Sequence, residues 1–257
     1  MSPVKAAPLD PVVLAARFES AGRAAGFRVE RYGEIVGCPL FALTKRTPGP
    51  RPRLYLSAGI HGDEPAGPLA LLSMLEDGVF DHRATWFLCP LLNPAGHTAG
   101  LRENANGLDL NRDYLDLRSL EIAAHVAWLR RQPSFDCTFC LHEDWESSGY
   151  YLYELNPLGR PSFARAMIDS VLPFCPVDPS AIIDGRAVAE PGIIRPVDDP
   201  LMRETWPESI YLRAHHATLS YTTETPSSFP MAQRIAAQRT ALKTAFKLST
   251  RDPRKIP

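Results

Sequence analysis

Short, nearly continuous apolar runs alternate along this chain with segments whose apolar residues recur at helical spacing. Leu54 to Ile60, Thr85 to Leu92 and Phe135 to Leu141 read as buried strands. Pro65 to Leu75 and Leu117 to Arg131 read as helices, the first with Pro65 in its opening turn. Strands buried on both faces and separated by helices demand a largely parallel sheet covered on both sides, an α/β domain. The flanks extend the pattern. Residues 12 to 25 carry helical spacing that stops at Gly26, Phe27 to Val36 alternates as a strand, and Leu40 to Lys45 can return beside it. Tyr150 to Glu154 reads as a strand, Pro161 to Leu172 as a helix, Ala214 to Glu224 as containing a strand that ends at Glu224, and Met231 to Leu248 as a helix. With 257 residues and no convincing internal boundary, one domain spanning 1–257 is expected, with Arg251 to Pro257 as a loose tail.

Charge narrows the function. The 28 basic and 29 acidic side chains nearly cancel, so nothing in the balance invites nucleic acid or an anionic membrane. No apolar run approaches the ~20 residues that span a bilayer. Pro3, Pro8 and Pro11, followed by Arg17, Glu19 and Arg23, do not make a signal peptide. Cys38, Cys89, Cys137, Cys140 and Cys175 form no disulfide framework. A cytoplasmic protein is the expectation.

In open α/β sheets, ligands gather beyond the carboxyl ends of the strands. His61, His142 and Glu224 all fall at such ends. Catalytic zinc takes three protein ligands from His, Cys or carboxylate and leaves one position for water. His61 and Glu64, in His-Gly-Asp-Glu, are close enough for a turn to bring together, and Gly62 relieves crowding at the bend. His142, from another strand end, can complete the set. Seen alone, the His61–Glu64 pair reads equally as a surface turn with Glu64 as a cap. The segment Asn93 to Asp113 weighs against that reading. It is rich in turn formers and amides, and Arg102, Asn111 and Arg112 can all face a ligand, the guanidinium forks gripping a carboxylate. The plainer alternative is a loop whose amides satisfy their own backbone. A loop this long is uncommon unless functional.

His61-Gly62-Asp63-Glu64, Asn93-Pro94-Ala95-Gly96, Arg102, and Asn104-Ala105-Asn106-Gly107-Leu108-Asp109-Leu110-Asn111-Arg112-Asp113 together resemble the M14-type, carboxypeptidase A-like zinc carboxypeptidase family. The order continues with Leu141-His142 and with Glu224 in Thr222-Thr223-Glu224-Thr225. The resemblance implies one Zn²⁺ held by His61, Glu64 and His142. It implies that Arg102 polarises the scissile carbonyl, that Asn111 and Arg112 hold a terminal carboxylate, and that Glu224 is general base and then proton donor. It also implies a three-layer α/β/α fold around a mixed, largely parallel sheet of about eight strands. The substrate so implied is a small peptide or an acylated amino acid. The short chain suits the compact bacterial branches, which include murein peptide amidases and the succinylglutamate desuccinylase and aspartoacylase-like deacylases. The full Asn-Ala-Asn-Gly run favours a metallocarboxypeptidase or peptide amidase over an N-acyl amino acid deacylase. A non-catalytic module that has kept the fold is the third reading, and the intact His61, Glu64, His142 and Glu224 set speaks against it.

The chain departs from the family in one place. Well-known members carry a mobile tyrosine upstream of the catalytic glutamate, and here that neighbourhood, Asp198 to Glu204, has none. Arg203, Tyr211 and His216 are the alternatives. Cys137 and Cys140 have Cys-x-x-Cys spacing, but residues three apart on a strand face opposite ways, so both are expected as buried small hydrophobes, with Cys140 on the side of His142. The acidic run Glu143-Asp144-Trp145-Glu146 reads as a solvated loop, a cation or second-metal site, or a hydrogen-bonding support for His142. Tyr150 to Tyr153 reads as a packed strand, and His125, His215 and His216 as structural or surface histidines.

Overall fold

Asp10 opens the first helix as its sequence dictates. Its carboxylate accepts the N–H groups of Val12 and Val13 at 3.0 Å each, and Pro11 occupies the first turn of α1 (Pro11–Ala24). The chain continues through β1 (Arg28–Ile35), β2 (Cys38–Lys45), β3 (Arg53–Ala58), α2 (Ala66–Glu76), β4 (Thr85–Cys89) and α3 (Pro94–Ala99). After α4 (Leu120–Leu129) come β5 (Cys137–Asp144), β6 (Tyr151–Leu155) and α5 (Ala164–Val171). Three very short strands, β7 (Ile182–Ile183), β8 (Arg186–Ala187) and β9 (Ile193–Ile194), precede α6 (Glu208–His215), β10 (Ser220–Pro226) and α7 (Met231–Ser249). This computed structural model describes residues 9–196, 199–217 and 219–250. Asp198 and the expected tail, Arg251 to Pro257, lie outside them.

The main sheet has eight strands in the order β1-β2-β4-β3-β5-β10-β6-β9. β4, β3, β5 and β10 run parallel at its centre, β9 is parallel to β6, and the β1–β2, β2–β4 and β6–β10 pairings are antiparallel. The sheet is therefore mixed and mostly parallel, as the alternation and the resemblance led us to expect. Helices α1, α2, α5 and α7 cover one face, where Phe18, Leu71, Met167 and Phe246 pack on Leu56, Phe139 and Leu141. On the other face α4 and α6 pack Ile122, Trp128 and Leu212 against Tyr55, Phe87 and Cys140. Cys137 belongs to the first core and Cys140 to the second, so the Cys-x-x-Cys pair points apart by the two-residue period of β5.

Two stretches differ from expectation. Asn93 to Asp113 is no bare loop: it holds α3, capped by the Asn93 side chain on Gly96 N–H at 2.9 Å, and a single 3-10 turn at Leu110–Arg112. The strand placed within Ala214 to Glu224 begins only at Ser220, because α6 fills the chain up to His215. On that second face, a hairpin instead of a helix approaches β6 and the edge strand β9. β7 and β8 are joined by Asp184-Gly185, both with positive φ (48° and 67°), the backbone of a two-residue turn that suits strand twist. Ile183 packs there with Tyr151 and Ile194. The gap between this hairpin, the α6 end and the strand ends is a cleft of about 1020 Å³.

Candidate metal centre and cleft

β3 ends at Ala58, and the chain turns through Gly59-Ile60 to present His61 and Glu64 at the floor of the cleft. β5 runs on past the end of β3 to Asp144, so His142 lies within a strand rather than after it. The ligand atoms of His61, Glu64 and His142 all lie within 4.8 Å of one another, and all three residues are buried. His61 Nδ1 is 2.5 Å from one Glu64 oxygen and His142 Nδ1 is 2.9 Å from the other. Burial raises the Glu64 carboxyl, but the two imidazoles more than offset it and hold the group far below the usual carboxylate range. Two histidines and one carboxylate drawn this close suit a divalent metal ion in donor type and number, and the Arg102 guanidinium reaches the same cluster, its Nη1 3.2 Å from His61 Nδ1.

The surroundings orient these donors. Asp109 lies 3.3 Å from His61 Nε2 and accepts the Arg102 Nε–H at 3.1 Å, so one carboxylate steadies both groups. Burial would raise Asp109, yet the His61 hydrogen bond and the Arg102 and Arg112 charges leave it well below its ordinary value. Arg102 also lies 3.5 Å from Glu64. The Asn93 amide donates to Ile60 O and Arg102 O, both at 3.2 Å, stitching the His61 turn to the Arg102 segment. The contact is close: a Cβ on Gly62 would stand 1.9 Å from the Gly96 carbonyl carbon. Gly62→Ala is therefore expected to cost about 3 kcal/mol or more by forcing the two backbones apart. A denaturant melt with an unchanged midpoint would refute that packing.

Glu224 stands beside His142 in the parallel β5–β10 register and opposite Tyr151 on β6. It is half-buried and lines the cleft. Burial, then the nearby Glu64 and Asp144 carboxylates, push its pKa well above the ordinary value. Arg112 lines the cleft and donates to Asn111 O at 2.8 Å. Asn111 is committed differently from the sequence-based expectation: its side-chain oxygen accepts the Glu208 N–H at 2.9 Å, at the start of α6, which leaves its amide N–H₂ end for a ligand.

Of the three alternatives to the missing tyrosine, Arg203 alone lines the cleft; Tyr211 and His216 are buried against Tyr114 and Phe135. A strand-like bridge between Asp113 and Trp206 seats the Arg203 loop beside Arg112. Burial, then the Arg112 and Arg186 charges, lower the pKa of Arg203. Tyr150 to Tyr153 splits by the period of the strand. Tyr150 and Leu152 pack in the core, whereas Tyr151 and Tyr153 face the cleft, their hydroxyls bound to Asp144 at 2.9 Å and Asp184 at 2.5 Å. The acidic run also divides: Glu143 is buried and hydrogen-bonded, Asp144 and Glu146 line the cleft. His125 is fully buried between the hydroxyls of Tyr55 and Tyr114.

A mixed sheet of this order, with a His-Glu-His cluster at its strand ends and a glutamate on the adjoining strand, defines a metallocarboxypeptidase-like chain. The comparisons with known proteins support a likeness to the M14-type metallocarboxypeptidases. The profile of the succinylglutamate desuccinylase/aspartoacylase catalytic domain matches residues 50–170. Carboxypeptidase SOL1 of Arabidopsis thaliana is 32% identical over 105 residues, a match that covers 31% of this chain and 20% of that longer protein. A candidate metallopeptidase from Shewanella amazonensis superposes with a TM-score of 0.80 at 26% identity, covering 91% of each chain. A metallo-carboxypeptidase from Burkholderia cenocepacia shares the fold, with a TM-score of 0.67 at 20% identity over 90% of this chain and 67% of that one. Among the described residues no helix is long and apolar enough to cross a membrane.

Proposed function

We propose that this chain is a zinc-dependent metallocarboxypeptidase or peptide amidase that hydrolyses the amide bond of a small peptide bearing a free carboxylate. The observation that carries the reading is the meeting of His61, Glu64 and His142 within 4.8 Å, beside a glutamate held in register with His142. Zinc bound by those three groups would supply a water of lowered pKa and a Lewis acid for the carbonyl oxygen. Glu224 Oε accepts a proton from the attacking water and delivers it to the departing nitrogen, which leaves as a neutral amine. Arg102, steadied by Asp109, offers its guanidinium to the negative charge that builds on the carbonyl oxygen. Arg112, with the amide end of Asn111, grips the terminal carboxylate and so fixes which bond is presented. A metallo-carboxypeptidase from Pseudomonas aeruginosa, of similar fold, is in complex with (2-guanidinoethylmercapto)succinic acid, itself a carboxylate, and supports this reading.

The match of residues 50–170 to the desuccinylase/aspartoacylase domain favours a second reading, an N-acyl amino acid deacylase with the same site residues. Dipeptides, murein tripeptides and N-acyl amino acids, assayed side by side, separate the two by which series is cleaved. Arg112→Ala is expected to raise KM for carboxylate substrates about 10- to 100-fold, the worth of a charge-assisted pair. An unchanged KM removes Arg112 from the carboxylate site.

A further inference from the structure

The layer between α7 and the sheet is apolar along most of its length: Ala237, Ala241, Leu242, Ala245 and Phe246 are all part of the first core. One turn of the same helix breaks that pattern. Arg234 and Gln238, at helical spacing i and i+4, are both buried, Gln238 completely. Burying such groups in an apolar layer is costly unless their polar atoms find partners; Arg234 Nε finds none, and the partners of the others are informative. The Gln238 amide nitrogen donates to the carbonyl oxygen of His142 at 2.9 Å, and its carbonyl oxygen accepts the Thr223 hydroxyl at 2.7 Å. Arg234 Nη1 donates to Glu143 at 2.5 Å, and the other Glu143 oxygen accepts the Ala66 N–H at 2.7 Å.

Strand alternation gives these contacts their meaning. Thr223 and Glu143 point back toward α7 because their neighbours, Glu224 and His142, point forward into the cleft. α7 therefore holds β5 and β10 from behind, one residue from the metal donor on the first and one from the proposed base on the second. Glu143 also ties β5 to the first residue of α2, directly beyond the Glu64 turn. With both ends of its amide engaged, Gln238 bridges the two strands in addition to their parallel ladder.

We infer that Gln238 is a positioning residue for the proposed hydrolysis, setting the separation of His142 and Glu224 through the strands that carry them, with Arg234 and Glu143 fixing the adjoining turn. The inference rests on the metallohydrolase reading. A purely structural Gln238 would make a different prediction: its loss, which leaves the His142 carbonyl unpaired, would lower the melting temperature without moving kcat or the Co²⁺ spectrum.

The test uses Gln238→Met, Thr223→Val, their combination, and the conservative Thr223→Ser in the full chain. Melting temperature, kcat and KM are measured on protein loaded with Zn²⁺, and the visible absorption spectrum on protein loaded with Co²⁺. We expect folded proteins in which kcat falls about 10- to 100-fold with KM little changed. The double variant is expected to lose no more than the worse single one, and Thr223→Ser to retain most of kcat. The Co²⁺ bands should shift for Gln238→Met and not for Thr223→Ser. Wild-type kcat and an unshifted spectrum in Gln238→Met overturn the inference. Should the wild type cleave no amide substrate, the functional reading fails, and the Co²⁺ spectra still decide whether Gln238 sets the geometry of the donors.

Discussion

Glu224→Gln is expected to lower kcat by about 10²–10⁴-fold while leaving the protein folded and its metal content intact. The side chains are nearly isosteric, so the register of Glu224 with His142 and Tyr151 persists. What disappears is the capacity to accept a proton from water and pass it to the leaving nitrogen. The proton it takes from water is the one the leaving amine requires. Glutamine can neither take nor give it. KM should move little, since Arg112 and the donor cluster are untouched. Metal content by elemental analysis, together with kcat and KM, checks the outcome. A variant that turns over every substrate at the wild-type rate removes Glu224 from the chemistry and with it the proposed mechanism.

His142→Ala is expected to abolish stoichiometric metal binding and to reduce activity below detection. Glu64 would then keep one imidazole instead of two, and the three converging donors would become two. Stripping the wild type with a chelator is the parallel experiment. A ligand present at a thousand times its Kd stabilises the folded state by about 4 kcal/mol, so the stripped protein should melt roughly 10 °C lower. Re-addition of Zn²⁺ should restore both activity and melting temperature to the wild type but not to His142→Ala. A metal-free wild type with full activity would contradict the reading. So would a His142→Ala protein that still carries one ion per chain.

The parts of the fold that the sequence exposed are those with strong local signals. Runs such as Leu54 to Ile60 are apolar because they lie between two layers of helix, and their ends point directly to His61, His142 and Glu224. Asp109 was in plain view inside the Asn-Gly-Leu-Asp-Leu-Asn-Arg stretch, but its bonds to His61 and Arg102 exist only once α3 folds back on the His61 turn. Strands of two residues, like β7, β8 and β9, have no periodicity to detect, and α6 is a single short amphipathic stretch behind Pro207. Tyr151 and Tyr153 illustrate a different limit. Their alternation with Tyr150 and Leu152 was legible, but which side of the strand would be left uncovered depends on where α4 and α6 stop. Asn111 likewise looked free to bind a ligand through either end, and only the arrival of α6 occupies its oxygen.

The proposed chemistry and the outer wall of the cleft ride on different parts of the architecture. His61, Glu64, His142 and Glu224 hang from the central strands β3, β5 and β10, whereas Asp184 and Arg186 belong to the β7–β8 hairpin and Arg203 to the stretch before α6, which rim the cleft. Such a rim can be lengthened, shortened or exchanged without disturbing the centre. Diversification of substrate preference among chains of this build should therefore proceed by grafting at the β7–β8 hairpin and the stretch before α6, and a transplanted rim should carry its preference with it into a recipient centre.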